Sequence, residues 1–354
     1  MLLLCRGSRG GKKVKLVVIR HENIKPSDFF LEFIVKNKLE VIYIDLPDTL
    51  AFIYKGIPGE DWWRWDQESV FISKLALPVI SKIKDQDEDS VFIAHNILDT
   101  LALPENSKIF LHLHGYPNEL NYACKLILSN KNYKLISVSK RIRDEFIKLT
   151  KENLDITVLR NSIDSEKFFK VQKPKKIDVL FLGRLISNKG IMEFLNAVLI
   201  LKKDNFLPKI VIGGQGPLQN EIINFITLNK LPNVQFIGYV DEKEKNLLYN
   251  SSRLCCFPSL GKEGTLLTML EASATGTPVL TTSGSSMEEF VKDEINGFLT
   301  NPKDENEFAN KIKNILFKTD EDLSRIGQRA LIEVNSNWSL AKTVKELINI
   351  YENI

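Results

Sequence analysis

The feature of this chain that most narrows its fold is an alternation running through nearly all of it. Short β-branched runs are followed by longer stretches whose apolar residues return every three or four positions. The short runs read as strands buried on both faces and the longer stretches as amphipathic helices, which together predict parallel sheets covered by helices. In the first half, strands are expected over 14–19, 40–45, 90–94, 108–114, 134–138 and 155–159. In the second half they are expected over 177–182, 209–212, 233–237, 253–257 and 278–281, with helix from about 301 to the end. Gly10 and Gly11, ahead of the first of these strands, read as a flexible leader.

Length converts this pattern into a domain count. At 354 residues the chain is too long for one core, and roughly one domain per 100–200 residues predicts two. The expected division is 1–168, 169–337 and a closing helix over 338–354. The polar, lysine-rich stretch 168–176 around Pro174 reads as the linker. Leu340, Val344, Leu347, Ile348 and Tyr351 give the closing helix an apolar face, expected to pack back on the first domain. The fold class is therefore α/β, as two Rossmann-like, doubly wound domains. Open sheets of this kind bind ligands at the carboxyl ends of their strands, so a cleft between the two domains is the expected site.

Charge and cysteine usage exclude several classes of function. The 48 basic and 45 acidic residues leave a net charge of +3, without the clustered basic stripe that nucleic acid requires. Cys5, Cys124, Cys255 and Cys256 lack metal-binding spacing, and two lie side by side in an apolar run, so they read as reduced core thiols. No uninterrupted run of roughly 18 apolar residues occurs, which limits membrane contact to peripheral association. The apolar residues 1–5 are too few for a signal-peptide core, and basic residues follow rather than precede them. A cytoplasmic protein is expected, with the inner face of the membrane as a second station.

Candidate chemistry gathers in the loops after strands. The strand 177–182 runs into Gly183-Arg184, with Lys189-Gly190 at the mouth of the next helix. A helix amino terminus offers unpaired N–H groups, and two cations beside it suit a diphosphate. Further on, the loop Pro258-Ser259-Leu260-Gly261-Lys262-Glu263-Gly264 follows an apolar strand, and Glu271 lies eight residues after Glu263. Carboxylates are natural acceptors for the vicinal hydroxyls of sugars and ribose. Two glutamates at that spacing are commonly just a helix start and an exposed helix face. The apolar Met269, Leu270 and Ala272 around Glu271 argue against that explanation.

Taken in order, these loops resemble those of the retaining glycosyltransferases of family four, the glycosyl transferases group 1, which have the two-domain GT-B architecture. The resemblance rests on Gly183-Arg184 with Lys189-Gly190, Gly213-Gly214-Gln215-Gly216-Pro217, Phe236-Ile237-Gly238-Tyr239-Val240, Pro258-Ser259 with Glu263-Gly264, Glu271-Ala272 with Gly276-Thr277-Pro278-Val279, and Asn296-Gly297. Weaker matches are Ser137-Val138-Ser139 and Arg160-Asn161-Ser162-Ile163-Asp164. It implies transfer of a hexose-type sugar from a UDP- or GDP-linked donor to a glycan, lipid-linked or other hydroxyl acceptor, in glycan or cell-surface polysaccharide biosynthesis. The nucleotide sugar is then a co-substrate, and no metal is required.

By the same resemblance, Arg184 and Lys189 contact the donor diphosphate, Glu271 the ribose and Glu263 the transferred sugar. The stretch Gly264, Thr265, Leu266 and Leu267 supplies main-chain N–H groups, and Gly238, Tyr239 and Val240 lie beside the base. His114, at the end of the strand 108–114, corresponds to a histidine close to the reacting sugar. Alternation puts His112 on the same face, but only His114 at the strand end, so His112 and His95 read as core histidines. Two departures from the family stand out. The first strand is followed by Arg20-His21-Glu22-Asn23 in place of a glycine pair, and Leu266 stands where relatives often carry Gly or Pro.

Trp62, Trp63 and Trp65 form an aromatic group that would stack on an acceptor sugar or else pack its own loop down. The D-x-D spacings Asp85-Gln86-Asp87 and Asp87-Glu88-Asp89 precede a strand instead of following one, which reads as a solvated charge run and not a metal site. The loop 213–216 follows a strand but lacks the G-x-G-x-x-G spacing of a dinucleotide site. Two rival functions remain: a sugar-nucleotide epimerase on the same architecture, and a silent nucleotide-binding partner subunit.

Overall fold

The computed structural model describes residues 2–7, 13–21, 34–36, 40–46, 76–82, 84–85, 91–95, 97–104, 107–117, 133–260 and 263–352. The chain divides into two compact units, one of residues 1–138 and 142–158, the other of 139–141 and 159–354.

The first unit is built on a seven-stranded sheet of β1 (Leu2–Gly7), β2 (Lys13–His21), β3 (Glu40–Leu46), β4 (Val91–Ala94), β5 (Lys108–Leu113), β6 (Tyr133–Ser137) and β7 (Ile156–Val158), in the order β3-β2-β1-β4-β5-β6-β7. Helix α1 (Lys140–Thr150) connects β6 to β7. Gly10 and Gly11, expected as a flexible leader, lie outside the described residues, while residues 2–7, where no strand was expected, form β1, which pairs antiparallel with β2 on one side and β4 on the other. This sheet is therefore mixed, with a reversed strand in its middle. Strand β2 also outruns its expected end to include Arg20 and His21, because both continue the parallel ladder with β3 through Asp45 and Leu46. The aromatic group Trp62, Trp63 and Trp65 lies outside the described residues, as do all the D-x-D positions except Asp85.

The second unit has six strands, β8 (Ile177–Leu182), β9 (Ile210–Gly213), β10 (Val234–Gly238), β11 (Ser252–Phe257), β12 (Val279–Thr282) and β13 (Phe298–Thr300). Their order is β10-β9-β8-β11-β12-β13, and every pairing is parallel. Only β13 escapes the sequence pattern, because three residues are too short to show a period. The helices are α2 (Ile191–Lys203), α3 (Gln219–Leu228), α4 (Glu242–Asn250), α5 (Leu267–Ala274), α6 (Glu305–Leu316), α7 (Asp320–Asn337) and α8 (Leu340–Glu352).

Alternation along β8 sends Val179 and Phe181 into one core with Phe194, Leu254 and Phe308. Leu180 and Leu182 enter the opposite core with Cys255, Met269 and Trp338. Burying a side chain of this size stabilises by about 1.5–3 kcal/mol, against about 0–1 kcal/mol for an exposed ion pair, so these two apolar faces hold the unit. Cys255 and Cys256 are fully buried free thiols, and burial pushes the Cys255 thiol up to about 12, which leaves both inert as the sequence indicates. The stretch 168–176, expected as a linker, is laced onto α4. Phe169 and Val171 donate their N–H groups to the Asn246 and Asn250 side chains at 3.2 and 2.7 Å. Among the described residues no helix is long and apolar enough to cross a membrane.

The glycine-rich loop after β9 has a structural duty. Gly183 donates to the Gly213 carbonyl, Leu185 to Gln215, and Gly214 to Gly238, at 3.2, 2.9 and 2.7 Å. Gly214 sits at φ +145° with its Cα facing the Gly183 carbonyl, so a Cβ there would collide with main chain. Gly214→Ala is expected to destabilise the second unit by at least about 2 kcal/mol. Gly238→Ala, at φ +72° but facing open space, is expected to cost only the backbone term of about 1 kcal/mol. Denaturant unfolding of both variants checks this, and equal losses would show that the two loops are not in close packing.

Candidate functional site

The order of the second sheet fixes where its ligand crevice lies. The chain winds outward from β8 through β9 and β10, then returns to lay β11 on the other side of β8, so the topological switch point falls between β8 and β11. In an open parallel sheet that point, at the carboxyl ends of the strands, is where the crevice opens. The loop after β8 carries Arg184 and Lys189, and the loop after β11 carries Glu263.

The two loops meet. Lys189 Nζ donates to both carboxylate oxygens of Glu263, at 2.8 and 2.7 Å. The two side chains are only 16% and 21% exposed. The Ser259 hydroxyl bridges the same loops, lying 3.0 Å from the Asn188 carbonyl and 2.7 Å from Glu263 Oε2. Leu260 N–H also donates to Asn188 at 2.8 Å. Gly190 permits this approach, since at φ +69° a Cβ would run into the Pro258 carbonyl. Arg184 is exposed and makes no ion pair among the described residues, so it is the open positive charge of the crevice.

Helix amino termini supply further donors. Helices α2, α3 and α5, which follow β8, β9 and β11, begin without a side-chain cap, whereas Asp241, Asp304 and Thr319 cap α4, α6 and α7. The first N–H groups of α5, after Gly264 and Thr265, are thus not consumed by a capping side chain. The Thr265 residue is buried, its hydroxyl has no partner among the described residues, and its carbonyl accepts from Asn161 Nδ2 at 3.0 Å.

Glu271 lies inside α5, where every residue from Met269 to Ala274 is buried, and is itself 9% exposed. Its Oε2 accepts from the Tyr249 hydroxyl at 2.9 Å and from Lys245 Nζ at 3.4 Å, while Oε1 accepts nothing among the described residues. Burial, and then the neighbouring carboxylate, push the Tyr249 phenol well above its ordinary pKa, so it remains a donor. Gly238 closes β10 and is half-buried, Tyr239 just past it is exposed, and Val240 is buried. Leu266 is half-buried at the head of α5.

In the first unit, His114 is the first residue past β5 and is exposed, while His112 is buried one strand repeat before it. Their rings stack with centroids 6.0 Å apart, as the alternation predicts. His95, read from the sequence as a core histidine, is half-buried instead. It is the first residue past β4, beside β5, and its Nδ1 lies 2.9 Å from His114 Nε2. Burial lowers all three pKa values, to about 4 for His95 and about 3 for His112, with mutual repulsion adding to both.

Sequence reasoning thus located the charged residues of both strand-end loops but not their supports. Ser259, Tyr249, Lys245 and Asn161 hold Glu263, Glu271 and the Thr265 carbonyl. The placement of His95 was legible in principle, since it stands just past its strand as His114 does.

Residues 162–333 match the model of the glycosyl transferases group 1. That match spans just under half of the chain. Among its curated relatives are an uncharacterized glycosyltransferase of Methanocaldococcus jannaschii, 28% identical over 68% of this chain and 65% of its own length, and the glycogen synthase of Mycobacterium tuberculosis, 28% identical over 55% and 48%. A capsular polysaccharide biosynthesis glycosyltransferase of Staphylococcus aureus is 27% identical over 61% and 60%. The chain spans about half to two thirds of the length of these curated relatives. Among solved structures, Anabaena HepE in complex with UDP and glucose superposes with a TM-score of 0.73 over 96% of this chain and 92% of that one, at 17% identity. The sucrose-phosphate synthase of Thermosynechococcus elongatus gives 0.70 over 81% and 79%, also at 17% identity. The fold is GT-B, the architecture of these solved structures.

Two outcomes are expected. Tyr249→Phe removes a hydrogen bond to a charged, buried carboxylate and is expected to lower stability by about 1.5–3 kcal/mol, read by denaturant unfolding. For the histidines, the folded pKa values lie below the unfolded 6.5, so the unfolded chain binds more protons in between. Their contribution to stability is full above pH 6.5 and is lost as pH falls toward 4. Thermal unfolding of the first unit in EDTA is expected to drop between pH 7 and pH 5, with a shallower slope in His112→Gln.

Proposed function

We propose that this chain is a retaining glycosyltransferase that moves a hexose-type sugar from a UDP- or GDP-linked donor to a hydroxyl acceptor, without a metal. The observation that carries this reading is the Lys189–Glu263 pair spanning the switch point between β8 and β11. A cation of a kind suited to phosphate and a carboxylate of a kind suited to sugar hydroxyls on facing loops support this reading.

Each residue then has a task. Arg184, Lys189 and the uncapped start of α5 neutralise the charge that develops on the leaving diphosphate, the work a divalent cation does elsewhere. Glu271 Oε1 accepts from the ribose hydroxyls while Tyr249 and Lys245 hold Oε2 in place. Gly238, Tyr239 and Val240 lie beside the base. Glu263 accepts from a hydroxyl of the transferred sugar as Lys189 turns from it toward phosphate, and His114 hydrogen-bonds the reacting sugar. Retention follows if the leaving diphosphate takes the acceptor's proton on the face from which it departs. The acceptor is a glycan, a lipid-linked sugar or another hydroxyl compound of polysaccharide assembly, used in the cytoplasm or at the inner membrane face. The capsular biosynthesis enzyme among the relatives supports that class.

Calorimetric titration with UDP, GDP and ADP in EDTA, followed by slow hydrolysis of the matching nucleotide sugars, tests the reading. One nucleotide should bind and its sugar be released. Glu263→Ala should lose transfer by about 100-fold or more, yet keep nucleotide affinity within a few-fold because Lys189 is freed for phosphate. Binding of none of the three nucleotides, or full transfer by Glu263→Ala, would overturn it.

A further inference from the structure

Three imidazoles converge at the ends of two adjacent parallel strands of the first unit. His95 follows β4, while His112 and His114 share one face at the end of β5. One nitrogen from each lies within 4.8 Å of one from each of the others, and His95 Nδ1 lies 2.9 Å from His114 Nε2. Nothing in the proposed transfer uses His95 or His112.

We propose that His95, His112 and His114 form a site for one divalent d-block cation of the zinc type, and that occupancy inhibits transfer. Three histidine nitrogens about 2.0–2.1 Å from a tetrahedral zinc stand roughly 3.3 Å from one another. The close pair here is already nearer than that, and the remaining separations close by at most about 1.5 Å. Two of the rings project from regular strand ends, and the third, His114, is exposed and turns at little cost. Imidazole suits zinc, copper and nickel, whereas calcium and magnesium require oxygen ligands, so the donor set selects among cations. Three protein ligands leave a fourth position for water or a substrate oxygen.

In the metal-free form one of the two bonded nitrogens, His95 Nδ1 or His114 Nε2, carries the shared hydrogen. On binding, that hydrogen moves to the other nitrogen of its own ring, so both present lone pairs and no net proton is lost. The metal then occupies the ring assigned to the reacting sugar, and this inhibitory clause rests on that assignment of His114.

The test uses untagged full-length chain, stripped with EDTA and titrated with Co²⁺ as a spectroscopic stand-in for Zn²⁺. One equivalent is expected to give the intense visible bands of tetrahedral cobalt, abolished by excess Zn²⁺. Affinity should fall at least tenfold in both His95→Gln and His112→Gln, with circular dichroism establishing that each variant is folded. No visible bands, or bands undiminished in both folded variants, would mean an adventitious ion only and overturn the site. Inhibition is read separately, as donor hydrolysis with and without Zn²⁺. Reversal by EDTA, together with loss of zinc sensitivity in His95→Gln relative to its own metal-free rate, supports the inhibitory clause. Cobalt binding with unchanged hydrolysis overturns that clause and the role of His114 while leaving the metal site standing.

Discussion

Strand β8 is buried on both faces, and most of the second unit follows from that single constraint. Val179 and Phe181 fill one core and Leu180 and Leu182 the other, so no polar side chain fits along the strand's inner length. Polar chemistry is displaced to the strand end, where the chain first reaches solvent. The same holds for β11, whose Leu254, Cys255, Cys256 and Phe257 are buried. Because β8 and β11 are neighbours in the sheet but distant in sequence, their displaced polar loops arrive side by side. Lys189 and Glu263 bond across 74 residues of chain for that reason.

Glu271 shows how the same sheet accommodates a charge within its covering layer. A carboxylate buried in α5 would cost several kcal/mol if unpaired. Tyr249 and Lys245 come from one face of α4, four residues apart, and meet it there. Their bonds saturate one oxygen only. The helix is thus stabilised by a pair of contacts that also aim the second oxygen, so packing and site geometry are served by one arrangement.

Much of this was legible from the order of residues. Parallel strands leave apolar runs of four to six residues, and the second sheet was readable strand by strand until β13, which is three residues long. Arg184, Lys189 and Glu263 stood out because glycines punctuate their loops. What could not be read was contact between elements far apart in sequence. Tyr249 looks like an ordinary aromatic inside a polar helix until α5 is laid against it, and His95 becomes a partner of His114 only once β4 and β5 are paired. Strand β1 escaped for another reason: Leu2–Gly7 has strand composition, but nothing local reveals that its neighbours will be β2 and β4.

That reversed strand has a consequence for how the first sheet assembles. The pairing of β1 with β2 joins residues close along the chain, Gly7 opposite Lys13 at the near end and Leu2 opposite Val18 at the far end. Loop closure there costs little entropy, whereas joining β1 to β4 closes a span of more than eighty residues. The middle of the sheet is therefore its most local part. A hairpin of this kind has the lowest closure cost and two edges, with β3 paired on one side and β4, followed by β5, on the other. Removing β1 would therefore split the sheet between β2 and β4 rather than trim its border.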